Sequence, residues 1–90
     1  MTWLARVHVV FKPIVNDPQG EAILGGLKSL AFLSVTQVRA GKYFEIHLEA
    51  ADAKEAERQV DDMCRKLLAN PVIEDYRIDI EKITPLRDAV

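Results

Sequence analysis

Two histidines and a few acidic residues are the side chains of this sequence that could hold a metal ion. His8 and His47 each lie in a segment of alternating apolar and polar residues. Glu45, Glu49 and Asp79 are the acidic residues that could join them. A metal site would need more ligands at a fitting geometry, so we expect no metal in this chain.

A lone cysteine and a Gly-Lys pair are the other residues that could take part in catalysis or ligand binding. Cys64 lies in an apolar helical stripe with no neighbouring histidine, which predicts a buried thiol rather than a nucleophile. Gly41-Lys42 matches the end of a phosphate-binding loop, but the earlier glycine of that motif would fall at Thr36 and its hydroxyl at Tyr43. We therefore expect no catalytic residue and no cofactor in this chain.

The composition is that of an ordinary small domain. The chain has 90 residues, of which 49% are hydrophobic and 29% are charged, with a formal net charge of −2. This charge gives no electrostatic reason to expect nucleic acid or an anionic membrane as a partner. The sequence has no apolar run of about 18 residues and no signal-like start, so we expect a cytoplasmic protein.

The stretch 34–49 sets the predicted architecture. It contains two alternating runs that meet at Gly41-Lys42, which predicts a β-hairpin. One face is apolar and would cover a core. The other face is too polar to bury without partners, and function should be sought on it; its residues are Val35, Gln37, Arg39, Tyr43, Glu45, His47 and Glu49.

The rest of the chain supplies two strands and two helices. Alternation predicts strands over 3–11 and 72–81. Asp17 and Asp52 are placed to cap helices, the second of which would run to about Ala69. Gly25-Gly26, inside the first helix, indicates that something approaches that helix closely. Residues 85–90 resemble a loose tail.

The order strand, helix, strand, strand, helix, strand defines the fold class. It predicts one α+β domain over residues 1–90, with two helices on one face of a mainly antiparallel four-stranded sheet. The other face of the sheet would then mix apolar and charged side chains. We expect it to be the self-association face of a dimer or higher homo-oligomer, formed by Leu4, Arg6, His8, Val10, Val35 and His47.

Three strings of the sequence resemble one protein family. They are Asp-Pro-Gln-Gly at 17–20, Val-Arg-Ala-Gly-Lys-Tyr at 38–43 and Met-Cys-Arg-Lys-Leu-Leu-Ala-Asn-Pro-Val-Ile-Glu-Asp-Tyr at 63–76. In order and spacing they resemble the PurS subunit of phosphoribosylformylglycinamidine synthase over about residues 4–82. Gly26 and Ala31 depart from the family pattern, which favours Ala and Gly at these two positions.

The resemblance implies a small non-catalytic subunit in purine biosynthesis. It would join a glutaminase (PurQ-like) subunit to an ATP-using synthetase (PurL-like) subunit and assist ammonia transfer between them. The complex would convert formylglycinamide ribonucleotide to formylglycinamidine ribonucleotide with ammonia from glutamine. ATP, magnesium and the nucleophile would belong to the other subunits.

The resemblance also favours a contact role for the predicted hairpin tip. Arg39, Lys42 and Tyr43 would present two cations and an aromatic ring there, and Arg and Tyr are enriched among contact hot spots. We expect these residues to contact a partner subunit. The alternative is an idle turn in which Gly41 supplies a positive φ angle.

Two other functional classes remain open from the sequence. A small-molecule-sensing domain of the same topology could hold an anion at the helix start of residues 17–20. An enzyme of the acylphosphatase kind would need a glycine-rich anion cradle after the first strand, and Lys-Pro-Ile-Val-Asn-Asp at 12–17 is not one.

Overall fold

The computed structural model describes residues 1–84, so the predicted tail at 85–90 lies outside the described residues. In chain order the elements are strand β1 (Thr2–Phe11), helix α1 (Pro18–Ser29), strand β2 (Gly41–Glu49), helix α2 (Ala53–Met63), a π-helical turn (Cys64–Leu68) and strand β3 (Glu74–Ile83). The strands predicted at the two ends of the domain are thereby confirmed.

The strands form one antiparallel sheet with β1 at its centre, in the order β2-β1-β3. Because side chains alternate along each strand, every second residue of β1 faces α2. Val7 lies between Phe44 of β2 and Ile78 of β3 in this register. The core beneath α2 is formed by the buried residues Ala5, Val7, Val9, Val60, Cys64 and Ala69.

Helix α2 begins where the sequence predicts. The Asp52 carboxylate accepts a hydrogen bond from the backbone N–H of Glu55 at 2.8 Å, which is an N-cap contact. The helix widens at its end, where the N–H of Ala69 donates to the carbonyl of Cys64 five residues earlier, at 2.9 Å. Leu67 is 83% exposed there.

The predicted four-stranded sheet is wrong, because the structure has a single three-stranded sheet. Residues 34–40 form no strand of this sheet, so Gly41 begins β2 instead of turning a hairpin. Gly41 has no positive φ angle. A β-carbon on it would meet the Val9 carbonyl oxygen and lie 2.9 Å from Val10 Cγ1, so this glycine permits close approach of β1 and β2.

The prediction of two helices on one face of the sheet is also wrong. Helix α2 packs against β1 and β3, whereas α1 lies away from the sheet. The molecule measures 49 × 32 × 17 Å and its radius of gyration is 16.8 Å, compared with about 12 Å for a compact domain of this length. No helix in the described residues is long and apolar enough to cross a membrane.

The displaced helix leaves part of the sheet uncovered. Phe44, Ile46 and Leu48 of β2 lie on the same face as the core residues of β1 but are only partly buried. The side of this face nearest β2 therefore remains open beside α2.

Candidate partner-binding surfaces

The first candidate surface is the arm, which we define as residues 18–40: α1 and the irregular segment that follows it. The arm exposes large apolar side chains, including Leu30 at 71%, Phe32 at 56% and Leu33 at 74%. These apolar side chains are thus open to solvent in the single chain. A contiguous apolar surface of this kind marks a contact site.

The base of the arm is closed by the carboxylate of Asp17, which is 5% exposed. Its Oδ1 accepts a hydrogen bond from the N–H of Gly20 at 3.0 Å, and its Oδ2 accepts one from the N–H of Ala40 at 2.8 Å. The bond from Ala40, then that from Gly20, hold the pKa of Asp17 below its ordinary value, with a smaller contribution from the charge of Arg39. One side chain therefore ties the start of the arm to its end.

Two sets of glycines in the arm have different surroundings. A β-carbon on Gly20 would lie 2.5 Å from Asp17 Oδ2 and would also meet the Val38 carbonyl oxygen. No heavy atom within the chain lies within 4 Å of a β-carbon added to Gly25 or Gly26. The close approach predicted at Gly25-Gly26 is therefore absent within the chain.

A small cavity of about 280 Å³ lies between the loop at 13–17, the start of α1 and residues 37–39. It is where a sensing domain would hold an anion at the helix start. The Asp17 carboxylate already accepts the N–H of Gly20 there. Because an aspartate is negatively charged at neutral pH, the Asp17 carboxylate disfavours a phosphate or carboxylate ligand.

The three residues assigned to a hairpin tip do not share a tip in the structure. The guanidinium of Arg39 donates to the carbonyls of Phe11 and Lys12, at the base of the arm. Lys42 donates to the Leu68 carbonyl at 3.3 Å.

Tyr43 alone of these three lies on the outward sheet face. Its ring centroid is 4.9 Å from that of His8, and its hydroxyl donates to Glu45 Oε2 at 2.8 Å. Partner contact by the three residues stays a prediction. Within residues 1–84, Tyr43 is the one of the three whose side chain donates no hydrogen bond to a backbone carbonyl.

The predicted self-association face is assembled with one exception. Leu4, Arg6, His8, Val10 and His47 lie on one side of the sheet, opposite α2, whereas Val35 lies in the arm. The face is crossed by ion pairs: Arg6 contacts Glu81 at 2.6 Å and His8 Nε2 lies 3.9 Å from Asp79. Leu4 is already buried within the chain, so the apolar part of this face is small.

The two histidines and the cysteine considered in the sequence for metal binding or catalysis have ordinary surroundings. His47 lies opposite Leu4 and His8 lies opposite Tyr43, so the two histidines are four residue pairs apart along the same two strands. Among residues 1–84 no group of three His, Cys, Asp or Glu side chains could hold a metal ion. Cys64 is buried as predicted, and this burial raises the pKa of its thiol.

Comparison with known proteins identifies the family. A family model described as PurS, phosphoribosylformylglycinamidine (FGAM) synthase, matches residues 4–82. The chain belongs to the PurS family. The PurS subunit of Synechocystis is 48% identical over 85 residues, which cover 94% of this chain and 82% of the relative.

Solved PurS structures share the fold. Bacillus subtilis PurS superimposes with a TM-score of 0.81 at 44% identity, covering 89% of this chain and 99% of that chain. A chain in the structure described as PurLQS from Thermotoga maritima gives a TM-score of 0.83 at 31% identity, covering 90% and 99%. This chain, with its arm and its three-stranded sheet, therefore matches these structures over nearly its whole length.

The strings that resemble PurS have structural roles here. Those at 17–20 and 38–43 meet at the base of the arm, through Asp17 and Ala40. Ala31, where the PurS pattern favours glycine, has a φ angle of 74°. An L-residue in this left-handed region costs roughly 1–2 kcal/mol, which explains why glycine suits the end of α1.

The exposed pair Phe32 and Leu33 was missed as a candidate surface in the sequence. The pair lies just beyond the helix, outside both the helical stripe and the alternating run. The available signal was the run Leu-Ala-Phe-Leu at 30–33, which is apolar throughout and fits neither period.

We expect Tyr43→Ala to weaken the subunit contact that the resemblance to PurS implies by about tenfold, without changing the fold. Tyr43 is 49% exposed and is replaceable without opening the core. Tyr43→Phe, which keeps the ring and loses the bond to Glu45, is the matched control. Titration of glutamine-dependent activity against each variant measures the effect, and an unchanged midpoint for Tyr43→Ala would rule out the contact.

Proposed function

We propose that this chain is the non-catalytic subunit that joins the glutaminase and synthetase subunits of phosphoribosylformylglycinamidine synthase in purine biosynthesis. The observation that carries the proposal is the match to a chain of PurLQS from Thermotoga maritima, a structure named for PurL, PurQ and PurS together. The PurS relative from Methanocaldococcus jannaschii is likewise described as one subunit of an amidotransferase. A chain that presents open surfaces suits such a joining role.

Self-association through the arm is part of the proposed function. The arm exposes its apolar side chains, and the row Phe44, Ile46 and Leu48 of β2 lacks a cover. Since the bonds of Asp17 and Arg39 direct the arm away from its own sheet, a second copy supplies the cover. Each copy then gives an arm and receives one, which is the reciprocal contact of a two-fold dimer.

The chemistry of the complex lies in the other subunits under this proposal. The synthetase subunit holds ATP and magnesium, and the glutaminase subunit releases ammonia from glutamine. This chain holds the two together and assists the transfer of ammonia. We also place it in the cytoplasm, together with the soluble nucleotide substrate of the complex.

Reconstitution from purified subunits tests the role. We expect glutamine-dependent product formation to fall at least about tenfold when this chain is omitted, because transfer of ammonia requires the two active subunits to be held together. The isolated chain should hydrolyse neither ATP nor glutamine. Equal glutamine-dependent rates with and without the chain would overturn the proposal.

A further inference from the structure

We infer that two adjacent turns, at residues 12–15 and 70–73, form a rigid apolar surface that inserts into a pocket of a partner subunit. We call them the paired turns. The inference rests on the proposed function, because the partner is a subunit of the synthase. It goes further by naming the surface of this chain that makes the contact and the chemistry of the surface that it meets.

The two turns are built in the same way. In each, the N–H of the fourth residue donates to the carbonyl of the first, from Val15 to Lys12 at 2.9 Å and from Ile73 to Asn70 at 3.0 Å. Proline occupies the second position of both turns, where its fixed φ angle favours a β-turn. Both turns are therefore closed by a backbone bond and stiffened by a proline.

The two turns also lie side by side. Strands β1 and β3 pair as far as Phe11 and Glu74. Just beyond this pair, the N–H of Lys12 donates to the carbonyl of Ile73 at 2.9 Å. The first turn thus starts beside the residue at which the second turn ends.

The third residue of each turn is a large apolar residue that points to solvent. Ile14 is 92% exposed and Val72 is 81% exposed. Turn geometry does not call for a β-branched apolar residue here, because Gly, Asn, Asp and Ser are the residues that turns favour. One exposed apolar side chain is ordinary, but two on adjacent turns of the same form make a continuous apolar surface.

Side chains hold both turns in place. Asn70 Oδ1 accepts the N–H of Val72 at 3.1 Å, and Glu74 Oε1 accepts the N–H of Asn70 at 2.7 Å. In the first turn, the guanidinium of Arg39 donates to the Lys12 carbonyl at 3.4 Å. A surface that is already ordered loses little conformational entropy when it binds, which favours its use as a contact.

The charges beside the turns select the kind of partner. Lys12 Nζ lies 3.0 Å from Asp75 Oδ1, and Lys42 Nζ lies 3.4 Å from Glu74 Oε2. The cations beside the turns are thus neutralised within the chain, whereas a nucleic acid or an anionic membrane is bound by cations that face the ligand. An apolar pocket on a protein needs no such charge. The partner is therefore a protein with an apolar pocket.

The place of the turns in the sheet favours another subunit over a second copy. In the proposed dimer the arm of one copy covers the β2 row of the other. The paired turns lie where β1 meets β3, and β3 is on the opposite side of β1 from β2. This end of the β1–β3 pair therefore stays open to the synthetase or the glutaminase subunit when the dimer has formed.

Ile14→Asp combined with Val72→Asp tests the inference. We expect it to raise the concentration of this chain that gives half-maximal glutamine-dependent activity at least about a hundredfold, and each single change to raise it at least about tenfold. Ile14→Val with Val72→Ile keeps an apolar surface and should stay within about threefold of the wild type. Co-sedimentation with each purified subunit in turn identifies the one that binds.

Ala51→Asp combined with Thr84→Asp is the matched control. It adds the same charge at two exposed positions. These positions follow Glu49 and Ile83, which pair with Thr2 at the opposite end of the sheet. We expect this control to leave the half-maximal concentration unchanged to within about threefold.

Self-association of the variants provides the second measurement. The variant with aspartate at 14 and 72 should keep the wild-type circular dichroism spectrum and the wild-type dissociation constant between copies to within about threefold. An equal loss of self-association would assign the turns to the contact between copies and would overturn the inference. An unchanged half-maximal concentration would also overturn it and leave the proposed function intact. Activity that does not depend on the wild-type chain would overturn both.

Discussion

Phe32→Asp combined with Leu33→Asp is expected to weaken arm-mediated self-association about a thousandfold. Each apolar side chain buried at a contact contributes roughly 2 kcal/mol, so losing two costs about 4 kcal/mol. Burying a carboxylate in its place adds to the loss. Both side chains are more than half exposed in the single chain, so the body of three strands and α2 should stay folded.

Ile14→Asp is the matched control for the arm variant. Ile14 is 92% exposed and lies in the loop before the arm. We expect it to leave the dissociation constant unchanged to within about threefold, because surface substitutions away from a contact have small effects. Sedimentation over a range of protein concentrations measures both variants. Equal dissociation constants for the arm variant and the wild type would show that the arm does not hold the dimer.

Gly20→Ala is expected to destabilise the protein by about 2 kcal/mol and to lower Tm by roughly 10 °C. The added β-carbon would lie 2.5 Å from Asp17 Oδ2 and against the Val38 carbonyl. The Asp17 carboxylate cannot move away without breaking the bonds that it accepts from Gly20 and Ala40. The base of the arm should therefore open.

Gly25→Ala provides the comparison on the same helix. Nothing within the chain lies within 4 Å of its added β-carbon, so we expect a gain of up to about 1 kcal/mol from helix propensity. Thermal unfolding of both variants at one protein concentration measures the difference, since association also shifts Tm. Equal losses for the two variants would contradict a specific role of Gly20.

The sequence was sufficient to predict the elements of the body. Alternation located β1 and β3, and the cap at Asp52 located α2, because each pattern follows from burial against the same chain. The string at 63–76 was sufficient to predict the family. These features depend on local periodicity and on backbone bonds between near neighbours.

Sequence patterns could not predict the position of the arm. Alternation over 34–40 and the stripe of α1 show which faces are apolar, but they do not show which chain covers them. The pattern was therefore read as a fourth strand and a packed helix within one chain. The role of Arg39 was missed for a related reason, since its bonds to Phe11 and Lys12 span 28 and 27 residues.

The central position of β1 has a consequence for synthesis of the protein. Of the described elements, β1 leaves the ribosome first, yet one of its two neighbours, β3, is made after all the others. The core beneath α2 needs Tyr76, Ile78 and Ile80, so it cannot close until translation has passed Ile83. Pairs so distant in sequence form slowly, which leaves the nascent strand β1 exposed to chaperones. Folded copies can therefore exchange arms only after β3 has been synthesised in each of them.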